Sequence, residues 1–340
     1  MTPLSWVYAA AMNRRNRRYD RRDLRANDPG IPVVSIGNIT TGGTGKTPIV
    51  MLIARRAIER GMRPVILTRG YGAPPGRQSD EVLEYGVALR DVPVVVNPDR
   101  VAAAREARDA HGADCVVLDD GFQHRRLPRT LDLVVIDALD PWGAGCVLPA
   151  GRLREPLRGL SRADVFVVSR CNQVGEAAVD GIDARLRELN AEAPIAHADV
   201  SASALVRQSG EREAPDALGF SCVLPVCGVG NPATFLRSVE LLAGCVASPL
   251  VYRDHCRYGA KLCDRIAARA RRAGADVVVT TRKDWVKLSP MWRDRKPQLT
   301  RLDVEMRLRT ADDRFEAALE RGLGRGRVLK TVNPTGLTSS

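Results

Sequence analysis

The chain has 340 residues, of which 44% are hydrophobic and 27% are charged. That length accommodates two α/β domains, and the composition is that of a folded protein. No stretch stays apolar for the roughly 18 residues that a membrane-spanning helix needs, so a transmembrane protein is not expected. The net charge of +12 indicates an acidic partner, such as a nucleic acid, an anionic lipid or a phosphorylated substrate.

Residues 1–28 predict a membrane-associating helix. An apolar stretch from Leu4 to Met12 precedes seven arginines between Arg14 and Arg25. A secretory signal has the opposite order, so we exclude that interpretation. We expect Trp6 and Tyr8 at the level of the lipid headgroups, with the arginines on anionic phosphates. The alternative is a basic helix face that packs on its own domain.

Residues 29–199 show short β-branched runs that alternate with helical stretches, a pattern typical of a parallel sheet with crossover helices. The predicted strands are Val33–Ile36, Val65–Thr68, Val94–Val96, Cys115–Leu118, Leu133–Ile136 and Val165–Val168. The predicted helices include Pro48–Arg60 and Arg100–His111, with Asp99 as the cap of the second. The pattern predicts a P-loop NTPase-like, doubly wound and mostly parallel sheet.

A glycine-rich segment after the first predicted strand indicates a phosphate-binding loop. Its backbone N–H groups would surround the phosphates at a helix N-terminus. Lys46 would reach the β- and γ-phosphates, and Thr47 would bind Mg²⁺. Thr40 stands where the strict pattern has its first glycine. The expected ATP-binding residues are Thr40, Thr41, Gly42, Gly43, Thr44, Gly45, Lys46 and Thr47.

Two carboxylates, Asp119 and Asp120, follow the predicted strand Cys115–Leu118 directly. Carboxylates at the end of a buried strand are costly without a cation, so magnesium is their natural partner. The sequence does not say which of the two lies nearer the metal. Further along, Ser169–Asn172 lacks the aspartate of a guanine-binding motif, which favours ATP over GTP.

A second, smaller α/β domain is expected at residues 200–325, followed by a flexible tail at 326–340. We place the boundary near residue 200 because the stretch from Val200 to Gly219 is polar and interrupted by glycine and proline. The predicted elements are strand Cys222–Cys227, helix Pro232–Leu242, helix Gly259–Ala273 and strand Val277–Thr280.

Short stretches spread along most of the chain carry a family resemblance. They are Gly37–Pro48, Thr68–Gly72, Ser79–Glu81, Asp99–Ala103, Asp119–His124, Leu148–Pro156, Gly228–Pro232, Asp254–His255 and Thr280–Asp284. With these stretches the sequence resembles the tetraacyldisaccharide 4'-kinases, the lipid A 4'-kinases of Gram-negative bacteria. The resemblance implies transfer of the ATP γ-phosphate to the 4'-hydroxyl of a tetraacylated glucosamine disaccharide 1-phosphate. It also implies a peripheral, monotopic enzyme on the cytoplasmic face of the inner membrane.

The resemblance further implies roles for individual residues. Asp80 would be the catalytic base, assisted by His255 from the second domain, with Lys46 on the phosphates. On the magnesium side it implies Thr47, Glu81, Asp119 and Asp120. On the side of the lipid head group it implies Arg69, Tyr71, Arg100, Gln123, His124, Arg154 and Glu155. The family commonly has glycine where Ser79 stands and a second histidine where Cys256 stands.

We expect the active site between the two domains, with ATP, the acylated disaccharide and a membrane surface as partners. The alternative function is a membrane-associated P-loop ATPase switch that transfers no phosphate to lipid. Nucleic-acid binding is not expected, because aromatic residues beyond Tyr19 are not interleaved with the arginines. The sequence indicates no obligate protein partner.

Overall fold

A computed structural model describes residues 2–20, 27–70, 78–310 and 312–324. In chain order the helices are α1 (Pro3–Asp20), α2 (Lys46–Glu59), α3 (Asp80–Ala88), α4 (Arg100–His111), α5 (Glu176–Leu189), α6 (Pro232–Leu242), α7 (Ala260–Arg272), α8 (Arg282–Leu288) and α9 (Asp313–Leu323). The strands are β1 (Val33–Gly37), β2 (Pro64–Thr68), β3 (Val94–Val96), β4 (Cys115–Asp119), β5 (Leu131–Asp137), β6 (Val165–Ser169), β7 (Ile195–Arg207), β8 (Arg212–Glu213), β9 (Cys222–Cys227), β10 (Cys245–Val246), β11 (Leu250–Val251), β12 (Val277–Thr281) and β13 (Gln298–Thr310). Within the described ranges, no helix combines the length and the apolar character that crossing a bilayer requires.

These strands form one continuous sheet. Their order is β10-β9-β12-β13-β7-β6-β5-β1-β4-β2-β3, with β11 beside β9 and β8 beside β7. Neighbouring strands are parallel except where β7 pairs with β13 and β8. β1 lies between β4 and β5, so the loop that follows β1 leaves the sheet between the carboxyl ends of two parallel strands. That edge is where α/β sheets bind ligands.

Helices cover both faces of the sheet. Every residue of β1, β4 and β5 is buried, as expected for central parallel strands. On one face α2 and α9 pack through Ile49, Ile53 and Phe315, and on the other Val101 of α4 packs with Leu67 and Leu118. The predicted doubly wound arrangement is therefore confirmed.

After residue 28, the predicted strands and helices begin and end within two residues of the observed bounds. The largest shift at a helix start is at α2, which begins at Lys46 rather than Pro48. Gly45, the residue before it, has a φ of 81°. A glycine with this left-handed backbone conformation ends the loop, so that the helix can begin at the next residue.

The sequence analysis predicted no strand around residue 200, the expected domain boundary, but the structure has one there. β7 runs through residue 200 and pairs with β13 in antiparallel register, so this main chain belongs to the sheet. β7 was missed because alanine and serine occupy many of its positions and it lacks a run of large apolar residues. We call residues 27–199 the nucleotide lobe and residues 200–324 the second lobe.

Helix α1 packs on the nucleotide lobe with one side and exposes apolar side chains on the other. Tyr8 Oη donates to the Arg154 carbonyl oxygen at 2.8 Å, and Asn16 Nδ2 donates to Glu155 Oε2 at 2.7 Å. Tyr8 therefore faces the protein, which corrects the expectation that it lies at the headgroup level. The exposed apolar side chains are Leu4, Trp6 and Val7, with exposed fractions of 69%, 63% and 69%.

Gly37 at the end of β1 gives a direct test of how closely the following loop is packed. A Cβ atom on Gly37 would lie 2.5 Å from Phe122 Cβ and 2.6 Å from Phe122 N. We expect Gly37→Ala to lower the free energy of unfolding by about 2 kcal/mol or more in urea denaturation. In the control Gly181→Ala, the new Cβ on α5 meets nothing within 4 Å. That change should be neutral or stabilising by about 0.5–1 kcal/mol. Equal effects of the two changes would contradict the close contact.

Candidate active site

The glycine-rich loop joins the end of β1 to the start of α2. Gly42 and Gly45 have φ values of 110° and 81°, in a region that disfavours side chains. Lys46 follows as the first residue of α2, so the free N–H groups of the first helical turn face the loop. The predicted ATP-binding residues from Thr40 to Thr47 therefore lie together in this loop and turn.

Asn38 organises the loop from its base. Its side-chain Nδ2 donates to the Thr40 carbonyl oxygen at 2.8 Å and to Thr44 Oγ1 at 2.9 Å. Its Oδ1 accepts a hydrogen bond from Lys46 Nζ at 3.0 Å. The sequence placed Asn38 in a matching stretch but gave it no role, because a buried amide that links three loop residues leaves no spacing signal.

Ser169, the last residue of β6, and Arg170, which follows it, hold the loop from the side. Ser169 Oγ donates to the Thr44 carbonyl oxygen at 3.0 Å, and Arg170 Nη2 donates to the Gly43 carbonyl oxygen at 2.8 Å. Arg170 also pairs with Asp137 at the end of β5. From the sequence, Arg170 contributed only to the argument that favours ATP over GTP. Its contact with the loop depends on strand order, which the sequence does not state.

Asp119 and Asp120 lie at the end of β4, next to the loop. Burial, followed by the nearby charge of Asp120, raises the pKa of the Asp119 carboxyl to about 6. Asp120 has a φ of 53°, and its Oδ1 lies 2.7 Å from Arg154 Nη1 and 3.3 Å from Lys46 Nζ. Burial raises the pKa of Asp120 as well, but the charges of Lys46 and Arg154 outweigh it, so the net pKa is lowered. The two adjacent carboxyls thus have different affinities for a proton.

The expected magnesium ligands lie near one another without forming a complete metal site. Tyr85 Oη lies beside Thr47 and Asp119, and the charge of Glu81 contributes to the raised pKa of Asp119. In the part of the chain that the structure describes, no three His, Cys, Asp or Glu side chains are grouped so that they could hold a metal. Such an arrangement fits Mg²⁺, which usually takes one or two carboxylates and completes its shell with substrate phosphates and water.

Asp80 and His255 meet across the two lobes. His255 Nδ1 lies 3.0 Å from Asp80 Oδ2, so the pair that the resemblance implied is in contact. Asp80 begins α3, and Ser79 Oγ caps that helix by accepting from Val82 N at 3.5 Å. His255 has a φ of 60°, which is uncommon for a residue other than glycine and often marks a functional loop.

Further side chains of the second lobe surround this pair. Lys287 Nζ donates to Asp80 Oδ2 at 2.9 Å, and Lys283 Nζ donates to Asp254 Oδ1 at 2.8 Å. The turn at Gly230 lies over the phosphate loop, because a Cβ atom there would be 3.6 Å from Gly43 N. The resemblance covered Lys283 without a role and did not include Lys287.

The residues expected to bind the head group fall into two sets. Arg154 and Gln123 lie beside Asp120, with Arg154 Nη1 donating to Gln123 Oε1 at 3.3 Å. Glu155 has no exposed surface, and its carboxylate accepts hydrogen bonds from Arg162 at 2.9 Å and Gln123 at 3.1 Å. Glu155 therefore supports the surrounding loop, and the structure does not present it to a ligand.

The remaining head-group residues lie near the start of α4, except for Tyr71, which lies outside the described residues. Arg69 is exposed and Arg100 is buried, and burial together with the charge of Arg69 lowers the pKa of Arg100. Burial, and then the charges of Arg100 and Arg129, lower the pKa of His124 to about 4. His124 is therefore neutral near pH 7. Its buried Nε2 has no hydrogen-bond partner among the described residues.

These features define a P-loop phosphotransferase. A doubly wound sheet carries a loop of N–H groups and a fixed lysine, and a carboxylate paired with a histidine joins the two lobes. The family model described as tetraacyldisaccharide-1-P 4'-kinase matches residues 1–323. The chain belongs to this family, and it is an ATP-dependent kinase of lipid A biosynthesis.

Individual relatives agree with this assignment. A protein named tetraacyldisaccharide 4'-kinase from Anaeromyxobacter dehalogenans (strain 2CP-C) is 38% identical over 332 residues, which are 92% of this chain and 87% of the relative. One of the same name from Geobacter metallireducens is 36% identical over 305 residues, covering 85% and 88%. The crystal structure of LpxK from Aquifex aeolicus in complex with ATP has a TM-score of 0.71 and 25% identity, covering 95% of this chain and 98% of that one. The predicted family, fold class and kinase activity are confirmed.

Because the pKa of Asp119 is raised, its negative charge should destabilise the folded protein in a pH-dependent way. The pKa is about 6 in the folded protein and roughly 3.9 in an unfolded chain. The destabilisation is therefore complete above pH 6 and disappears below pH 4. We expect Asp119→Asn to raise the free energy of unfolding by about 1–3 kcal/mol at pH 7.5 and to change it much less at pH 4. Urea denaturation without nucleotide at both pH values measures this.

The control for this prediction is Asp91→Asn, which makes the same chemical change at an exposed position. It should alter stability by no more than about 0.5 kcal/mol at either pH. A loss of stability in Asp119→Asn at pH 7.5 would contradict the electrostatic account.

Proposed function

We propose that Asp80 is the base that activates the 4'-hydroxyl of a tetraacylated glucosamine disaccharide 1-phosphate for attack on the ATP γ-phosphate. The observation that carries this proposal is the contact between Asp80 Oδ2 and His255 Nδ1 in a chain of the 4'-kinase family. A carboxylate oriented by an imidazole at the junction of two lobes can accept a proton where a bound alcohol meets the nucleotide.

In the proposed reaction the substrate hydroxyl gives its proton to Asp80 as its oxygen attacks the γ-phosphorus. The bond from that phosphorus to the bridging oxygen breaks, and ADP leaves. Lys46 and the loop N–H groups stabilise the negative charge that spreads over the phosphate oxygens. His255 orients Asp80 through the 3.0 Å hydrogen bond between Nδ1 and Oδ2.

Thr47 and Asp119 would hold the Mg²⁺ that accompanies ATP, and Glu81 would supply a further carboxylate nearby. Asp120 is the weaker candidate for a direct ligand, because Arg154 already contacts its two oxygens at 2.7 and 2.8 Å. The bound ion would neutralise charge on the β- and γ-phosphates. Asp120 would then serve chiefly to hold Lys46 and Arg154.

Two arginines at the site, the exposed Arg69 and the partly buried Arg154, are proposed to hold the lipid head group. Arg69 and Arg154 can each offer two parallel N–H groups to a phosphate, with Gln123 beside Arg154 and His124 near Arg100. Arg100 would act from behind this surface, because only 4% of its area is exposed. Tyr71, which lies outside the described ranges, is also proposed to bind the head group. Glu155 is instead proposed to support the loop around it.

We further propose that α1 rests on the cytoplasmic face of the inner membrane while its other side stays docked on the nucleotide lobe. Its exposed apolar residues precede arginines that can meet lipid phosphates, which is the order expected of a helix that enters an anionic surface at its first turns. The acyl chains of the substrate could then stay in the membrane while the head group reaches Asp80.

The base assignment predicts that Asp80→Asn lowers kcat by roughly 10³-fold, because the amide cannot take the hydroxyl proton. The Michaelis constant for ATP should change little, since Asp80 is not part of the phosphate loop. Transfer of radiolabel from [γ-³²P]ATP to the disaccharide lipid measures both quantities. Asp91→Asn is the matched control, and near-normal transfer by Asp80→Asn would remove Asp80 from this role. ATP turnover that ignores the lipid acceptor would favour the ATPase switch.

The membrane proposal predicts that exchanging the exposed apolar residues of α1 for glutamine weakens vesicle binding. Each such side chain contributes roughly 1–3 kcal/mol when it leaves water, so the triple variant should lose tenfold or more in partitioning onto anionic vesicles. Cosedimentation measures this, and transfer to a detergent-dispersed acceptor should persist. The triple variant is Leu4→Gln, Trp6→Gln and Val7→Gln.

The control replaces three exposed apolar residues elsewhere on the surface, whose loss should leave vesicle binding unchanged. They are Phe220, Leu241 and Met291, each changed to glutamine. If both triple variants bound vesicles like the unmodified protein, α1 would not be the contact surface.

A further inference from the structure

Two donors from the second lobe converge on one oxygen of Asp80. Lys287 Nζ lies 2.9 Å from Asp80 Oδ2, and His255 Nδ1 lies 3.0 Å from the same atom. Among the described residues, no hydrogen bond reaches the other carboxylate oxygen, Oδ1. Two donors on one oxygen fix the rotation of the carboxylate, and they leave Oδ1 as the oxygen that can accept a substrate proton.

Lys287 also forms an ion pair with a buried carboxylate. Its Nζ lies 3.6 Å from Asp284 Oδ1, and only 16% of its side chain is exposed. Asp284 has no exposed surface and also accepts hydrogen bonds from Gly228 N at 2.8 Å and from Tyr258 Oη at 3.1 Å. Lysines on a surface usually move freely and contribute little through ion pairs. This one is confined between a fixed carboxylate and Asp80, so its charge can hold Asp80 in one orientation.

The two donors reach Asp80 from different supports. His255 stands on a loop and has a left-handed φ of 60°, with 38% of its side chain exposed. Lys287 stands on α8, a helix that packs beside α3, the helix that begins with Asp80. Side chains on packed helices hold a position more closely than side chains on loops. The orientation of Asp80 therefore depends on the lysine at least as much as on the histidine.

We infer that Lys287 is a positioning residue for the phosphoryl transfer: it fixes Asp80 so that Oδ1 faces the acceptor hydroxyl. The inference rests on the proposed role of Asp80 as the base. Lys287 acts through Asp80 and transfers no proton itself. It also joins α8 of the second lobe to α3 of the nucleotide lobe, so the base is in its working orientation only when the two lobes are together.

The experiment compares Lys287→Met, which removes the charge but keeps the length, with Lys287→Arg, which keeps the charge. We expect Lys287→Met to lower kcat by roughly 10²-fold, the usual cost of a misplaced catalytic group. The Michaelis constant for ATP should stay within about twofold, since the phosphate loop is unchanged. Lys287→Arg should keep more activity than Lys287→Met. Lys261→Met, at an exposed lysine of α7, is the control and should be fully active.

A double variant separates positioning from a direct contact with the phosphates. If Lys287 acts through Asp80, the variant with both Asp80→Asn and Lys287→Met should be no slower than Asp80→Asn alone. Multiplied losses would overturn the inference, because they would show that the lysine acts independently of Asp80. Unchanged kcat in Lys287→Met, or a loss confined to the Michaelis constant for ATP, would overturn it as well.

A folding measurement and a further substitution at Lys287 accompany these assays. Thermal unfolding checks that each variant is folded, and Lys287→Gln, which keeps a donor without the charge, replaces Lys287→Met if the latter is unstable. It should show the same lack of added loss in the Asp80→Asn background. An active Asp80→Asn would refute the base itself and the inference with it. An inactive Asp80→Asn beside a fully active Lys287→Met would refute only the positioning role.

Discussion

The rest of the site depends on the ammonium group of Lys46, which is held in a fixed position beside the N–H groups of the phosphate loop. Lys46 Nζ lies 3.0 Å from Asn38 Oδ1 and 3.3 Å from Asp120 Oδ1, so residues that follow two neighbouring strands fix it. The loop around it is tied from a third direction, since Arg170 after β6 donates to the Gly43 carbonyl oxygen. This convergence requires parallel strands whose carboxyl ends share one edge. The cost of assembling positive charge there is offset by the carboxylates at the same edge.

The continuous sheet determines how the second lobe meets the phosphate loop. β13 pairs with β7 along most of its length, and its Met306 lies so near the loop that a Cβ on Gly45 would be 3.1 Å from Met306 Cε. The same connection brings the loop that carries His255 and the helix that carries Lys287 to Asp80. Phosphoryl transfer asks a protein mainly to place its substrates and stabilise charge. A sheet that continues through both lobes suits that task, because it joins the phosphate loop and the residues around Asp80 directly.

Sequence patterns predicted the parts of the molecule that depend on interactions between residues close together in the sequence. Uniform apolar runs give buried parallel strands, and a glycine-rich turn before Lys46 gives a phosphate loop. Contacts between segments far apart in the sequence could not be predicted. Three of them follow from packing: the side of α1 that turns Tyr8 toward the protein, the burial of Glu155, and the contact of Lys287 with Asp80. β7 was not predicted, because its half-buried small and polar residues indicate a strand only when its antiparallel partner β13 is known. The resemblance supplied Asp80 and His255, which periodicity alone could not pair.

The most direct test is a crystal structure with a nonhydrolysable ATP analogue and Mg²⁺. The account predicts that the N–H groups of residues 42–47 surround the triphosphate, that Lys46 contacts its terminal phosphate, and that Asp80 Oδ1 faces the γ-phosphorus from the side of the second lobe. A triphosphate bound away from Lys46, or an Asp80 turned from the γ-phosphate with both lobes in contact, would contradict it.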